Sequence, residues 1–72
     1  MKTSYVVQNV FSEVIGYTTQ LCEAKRIGEY SDYREYFTII KLVGPEKYEG
    51  YHEYYLHYDG KKYKKSKKKG SV

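Results

Sequence analysis

Few residues of this chain are of the kinds that perform covalent or metal chemistry, and their spacing keeps them apart. There are two histidines, His52 and His57, and one cysteine, Cys22. The histidines lie five positions apart in a run that alternates like a β-strand, and an odd separation puts them on opposite faces. Cys22 falls in another segment, on a face that reads as apolar. A mononuclear zinc site needs three or four ligands, so no metal is expected. Glu46, Glu49, Glu53 and Asp59 are interspersed with lysines and tyrosines, as solvated charges are. A working acid–base pair of carboxylates needs a shared cleft, and a chain of 72 residues promises none. No serine has a base and an orienting partner. The glycines Gly28, Gly44, Gly50 and Gly60 are separate turn residues rather than a phosphate loop. The expectation is a chain with no catalytic residues and no cofactor, not an enzyme.

The charged and aromatic residues point instead to binding. Seven lysines and no acid occur in the last twelve residues: Lys61, Lys62, Lys64, Lys65, Lys67, Lys68 and Lys69. Residues 1–60 hold six basic side chains against nine acids, a net charge of −3, so the overall +4 comes from one end of the chain. Clustered lysine is drawn to polyanions, where ammonium groups neutralise phosphate without reading sequence. Tyr63 lies inside the run and could stack on a base. There are eleven tyrosines, two phenylalanines and no tryptophan. Tyrosine combines apolar area with a polar tip and suits interfaces. If a helix covers one face of a sheet, Tyr33, Tyr51 and Tyr55 line the other, with Arg34 and His57 nearby. Open sheet faces of this kind hold single-stranded nucleic acid by stacking, and exposed tyrosine patches also build protein interfaces.

The elements that must position these residues belong to one small domain. Thr3 to Val7 reads as a first strand. Residues 10–27 follow a helical wheel, with Val10, Phe11, Val14, Ile15, Thr18, Leu21, Cys22 and Lys25 on one arc, Asn9 or Ser12 as N-cap and Gly28 as the stop. The competing assignment makes residues 14–24 a strand, since Val14, Ile15, Thr18 and Thr19 are β-branched. Tyr33 to Val43 is a strand apolar on both faces, hence central in its sheet. Gly44 to Lys47 is a turn. Residues 50–58 form another strand, with His52, Tyr54, Leu56 and Tyr58 towards the core. Asp59-Gly60 signals a two-residue type I′ hairpin returning through Lys61–Lys65. The core should contain Val14, Leu21, Phe37, Ile39, Ile40, Leu42 and Leu56.

The expected architecture is α+β, a small antiparallel sheet with one amphipathic helix packed on one face (β-α-β-β-β), with an all-β curled sheet or barrel as the alternative. Residues 1–65 form the domain, and residues 66–72 a disordered lysine-rich tail. A lone cysteine and the absence of disulfide staples suit a reducing, cytoplasmic setting. The start MKTSYVV imitates a secretory signal, but Gln8, Asn9, Ser12 and Glu13 interrupt its apolar region. No membrane association is expected. The chain therefore reads as a small binding protein acting on nucleic acid or on a nucleic-acid-handling complex. The alternative is a protein–protein inhibitor or adaptor, such as a phage or mobile element encodes against a host defence or nucleic-acid-processing machine.

Overall fold

A computed structural model describes residues 1–67 of the chain. Its elements are β1 (Lys2–Asn9), β2 (Val14–Thr18), α1 (Leu21–Glu29), β3 (Phe37–Gly44), β4 (Tyr51–Tyr58) and β5 (Tyr63–Ser66). The five strands form one open sheet in the order β2-β1-β3-β4-β5. Every neighbouring pair is antiparallel. The α+β class and the layering of one helix on an antiparallel sheet are as the sequence implies, and β3, apolar on both faces, takes the central place.

Residues 10–27 supply a strand as well as a helix. The switch begins at Asn9, which is buried at 4% exposure. Its Oδ1 accepts the N–H groups of Phe11 and Glu13, each at 2.9 Å, and its Nδ2 donates to Glu13 Oε1. Ser12 adopts a left-handed φ of 65°. Asn9 thus caps a hairpin turn rather than a helix. The chain folds back as β2, where the β-branched side chains pack along β1 and the strand is left at the sheet edge. The helix starts only after Gln20, whose backbone is extended.

A nine-residue helix spaces Leu21, Ala24 and Ile27–Gly28 along its inner side. Ala24, Phe37, Ile39, Val7 and Tyr5 form the core between helix and sheet, with Ile15, Leu21, Ile27 and Leu56 packed around them. Val14, expected in the core, is 44% exposed because β2 turns it to the other face near the sheet edge. Gly28 lies inside the helix rather than beyond its end, and the ring of Phe37 fills the space a side chain there would need. The helix ends at Tyr30, where Tyr30 N–H donates to the Arg26 carbonyl and Ser31 Oγ donates to that of Gly28.

A second cluster, Val6, Ile40, Leu42 and Tyr55, occupies the opposite face. No helix covers it. The β3–β4 loop laps over it instead: Tyr48 N–H donates to the buried Ser4 Oγ at 2.8 Å, and the Tyr48 ring meets Tyr17 edge-on. The β4–β5 connection is longer than a two-residue turn. Tyr58 pairs with Tyr63, leaving residues 59–62 as the loop. A type I′ turn needs two positive φ angles, and in this loop only Gly60 has one. Asp59 Oδ1 accepts the N–H groups of Lys61 and Lys62 and organises the loop by itself. Ser66 pairs with Tyr55, so the ordered sheet includes Ser66. The rest of the expected tail, from residue 68 onward, lies outside the described residues.

Candidate functional site

Cross-strand register assigns each side chain to a face. Tyr5, Lys41 and Tyr54 form one row, Val7, Ile39, Leu56 and Lys65 a second, and Phe37, Tyr58 and Tyr63 a third. All three rows lie on the helix-bearing face, because Tyr5, Val7 and Phe37 pack in the helix-side core. The helix makes backbone-level contact with β1, β2 and β3 but not with β4 or β5. Width explains this. Five strands about 4.8 Å apart span roughly 19 Å, and a helix with its side chains is only about 10–12 Å across. The β4–β5 half of this face therefore lies beside the helix rather than beneath it.

Helix side chains reach Tyr63 on this half, and around Tyr54 it interleaves tyrosine and lysine. The Tyr54 ring lies between two ammonium groups, Lys41 Nζ at 5.2 Å and Lys65 Nζ at 4.4 Å from its centroid. Lys25 of α1 sits 4.8 Å from the centroid of Tyr63. Each such contact is worth about 0.5–1 kcal/mol at an exposed site. Lys41 also pairs with Glu53 at 2.8 Å, and that hydrogen bond raises the lysine pKa and lowers that of the glutamate. Burial raises the Tyr54 pKa, so its phenol stays neutral. Burial and a hydrogen bond from its hydroxyl to Glu29 Oε2 raise that of Tyr63 well above the usual tyrosine range. Among the described residues, Lys25, Lys61, Lys62, Lys64, Lys65 and Lys67 form no ion pair with a carboxylate. Lys65 and Lys67 act on Glu53, and Lys64 on Asp59, only at longer range.

The lysines expected to bind are distributed around this surface. Lys61 and Lys62 are exposed in the β4–β5 loop, Lys65 is on the helix-bearing face, and Lys64, paired with His57, is on the other. Lys67 follows β5, exposed, and Lys68 and Lys69 lie outside the described residues. The five expected interface residues do not share one patch. Tyr33 and Arg34 sit in the turns after α1, and Tyr51 is exposed at the far end of β4. Tyr55 is 4% exposed, part of the second core cluster. Only Tyr55 and His57 come together, their rings parallel at 6.1 Å on the face away from the helix.

A β-bulge accounts for part of this scatter. Lys41 pairs with Tyr54 and Leu42 with His52, so Glu53 is the extra residue in β4. The bulge reverses the alternation before it. His52 and His57 consequently flank Tyr55 on the same face instead of opposite faces, and His52 Nδ1 hydrogen-bonds the Tyr55 hydroxyl. Among the described residues no three His, Cys, Asp or Glu side chains are grouped to hold a metal ion. No described helix is long and apolar enough to cross a membrane. Sequence reasoning missed Tyr54, Lys41 and Lys25. Tyr54 reads as a core residue from the alternation of its strand, and only the placement of the helix shows that this strand lies beside it.

No protein-family model matches this chain, and the comparisons found no similar curated protein and no similar solved structure.

Proposed function

We propose that this chain is a small, non-enzymatic nucleic-acid-binding protein that takes a single strand along the lysine- and tyrosine-bearing surface of β4 and β5. The observation that carries the reading is Tyr54 held between Lys41 and Lys65 on the half of the sheet face beside the helix. A ring beside Lys65, which has no carboxylate partner among the described residues, matches one repeat of a single strand, with a base for the ring and a phosphate for that lysine, while Lys41, paired with Glu53, holds the ring's other side. Lys61, Lys62, Lys64 and Lys67 extend the positive potential along β5 and its loop. The mechanism is electrostatic attraction followed by stacking, with no bond made or broken. A nucleic-acid-handling complex that presents such a strand would be held through the same groups.

Titration of labelled single- and double-stranded oligonucleotides at two salt concentrations tests the reading. Each phosphate contact to a single strand contributes about −0.7 to the log–log salt slope. A chain ending at Ser66 keeps all of β5 and loses Lys67, Lys68 and Lys69, so its slope should flatten by about 2 if all three engage. Tyr54→Ala should weaken single-strand binding by about 1–3 kcal/mol, with a smaller effect on duplex. Absence of binding at low salt, or binding indifferent to both changes, overturns the proposal.

A further inference from the structure

We infer that the end of the sheet formed by the β1–β2 turn, residues 30–36 and the β4–β5 loop docks a basic segment of another protein. This surface adjoins the lysine–tyrosine surface at the β4–β5 loop, and its groove is formed by other side chains. Turn residues are ordinarily polar, yet here Val10 is 62% exposed, Phe11 72%, Tyr36 61% and Tyr30 81%. The last β1–β3 pair joins Asn9 to Phe37, so Val10 and Tyr36 leave the sheet as neighbours. Phe11 stands on a turn already organised by the buried Asn9, so little ordering entropy remains to be lost on contact. Exposed aromatic residues on a rigid support are what binding hot spots are made of.

Beside them lies a groove of about 450 Å³ lined by Glu29, Tyr30, Arg34, Glu35, Tyr58 and Gly60. That volume falls within the range that holds side chains or small ligands. Neither Glu29 nor Glu35 forms an ion pair among the described residues, although Lys61 and Lys62 stand in the adjoining loop; one oxygen of Glu29, Oε2, accepts the Tyr63 hydroxyl at 2.8 Å. Arg34 also has no carboxylate partner among the described residues, and it donates to the Ser31 carbonyl at 3.3 Å. Two carboxylates with tyrosine walls complement an ammonium or guanidinium group. Arg34 on the same wall complements a peptide carbonyl beside it. Charge complementarity therefore selects a lysine or arginine in the groove, with apolar neighbours over Phe11 and Tyr36. This chain's own tail leaves β5 at Ser66, at the other end of the strand from the loop that borders the groove.

An NMR titration with N-acetyl-lysine methylamide, its norleucine analogue and the blocked tripeptide Leu-Lys-Leu tests the inference. The lysine compound should shift the ring protons of Tyr30 and Tyr58, and the norleucine compound should not. Glu35→Gln should weaken the lysine compound about tenfold, the value of one charge-assisted hydrogen bond. The tripeptide should bind severalfold more tightly than the single residue, and Phe11→Ala should remove that gain. Both substitutions are at exposed positions, so melting temperatures should not change and lost binding reports the site. Shifts that do not distinguish lysine from norleucine, or full binding by Glu35→Gln, overturn the groove assignment. A tripeptide gain that is absent or survives Phe11→Ala overturns the docking surface. Sedimentation showing self-association that Glu35→Gln abolishes would make a second copy the occupant and overturn the assignment to another protein.

Discussion

Gly28→Ala pits helix propensity against packing, and the structure decides the sign. In an exposed helix the change would stabilise by about 1 kcal/mol. Here a Cβ at position 28 would stand 2.5 Å from Cδ1 and Cζ of Phe37, and closer still to Cε1. Ordinary carbon contacts lie at about 3.5–4.0 Å, so the ring would have to retreat by about 1 Å or more. It has little room: Phe37 is 2% exposed, with Tyr58 at 5.0 Å and Tyr63 at 6.0 Å between ring centroids. Overpacking of this kind costs about 1–3 kcal/mol or more, and the propensity gain returns only part of it. The expected net loss is about 1–2 kcal/mol, against a total of roughly 4–11 kcal/mol for a chain of this length. The melting temperature should fall by roughly 4–16 °C. Urea and thermal denaturation measure it, and Phe37→Leu completes a double-mutant cycle. Removing the ring should relieve the clash and give a coupling of about 1 kcal/mol or more. A Gly28→Ala protein that melts at or above wild type would refute the close approach of helix and β3.

Three further outcomes are expected. Asn9→Ala leaves the N–H groups of Phe11 and Glu13 without their acceptor and should cost about 1–3 kcal/mol in a denaturant melt. Tyr63 has a folded-state pKa raised by burial and by its hydrogen bond to Glu29. Its contribution is therefore complete below the unfolded tyrosine value of about 10 and declines as pH rises above it. Melts between neutral and strongly alkaline pH should show that decline, and Tyr63→Phe should make it shallower. Asp59 has a pKa lowered by hydrogen bonds from the backbone N–H groups of Lys62 and Lys61. Its contribution is present above the unfolded carboxylate value and is lost as pH falls, so Asp59→Ala should flatten the acid side of the stability profile.

What the sequence determined by itself is what depends on local composition and on neighbours along the chain. The apolar run Phe37 to Val43 carries enough β-branched and large side chains on both faces to demand burial on both sides, and β3 is central. The charge split along the chain is likewise a property of sequence alone. Tertiary structure decided the rest, because competing local preferences were close. Residues 14–18 satisfy either a helical wheel or a strand, and the cap at Asn9 together with the neighbouring edge of β1 selected the strand. Gly28 reads as a helix stop, but its use is to admit the Phe37 ring. The face that Tyr51, His52 and Tyr55 share or oppose turned on one extra residue, Glu53, because a strand's period of two makes any single insertion reverse the sides before it. The half-buried position of Tyr54 beside Lys41 and Lys65 followed from a width: one short helix cannot cover five strands, and only the packed fold shows which strands go uncovered.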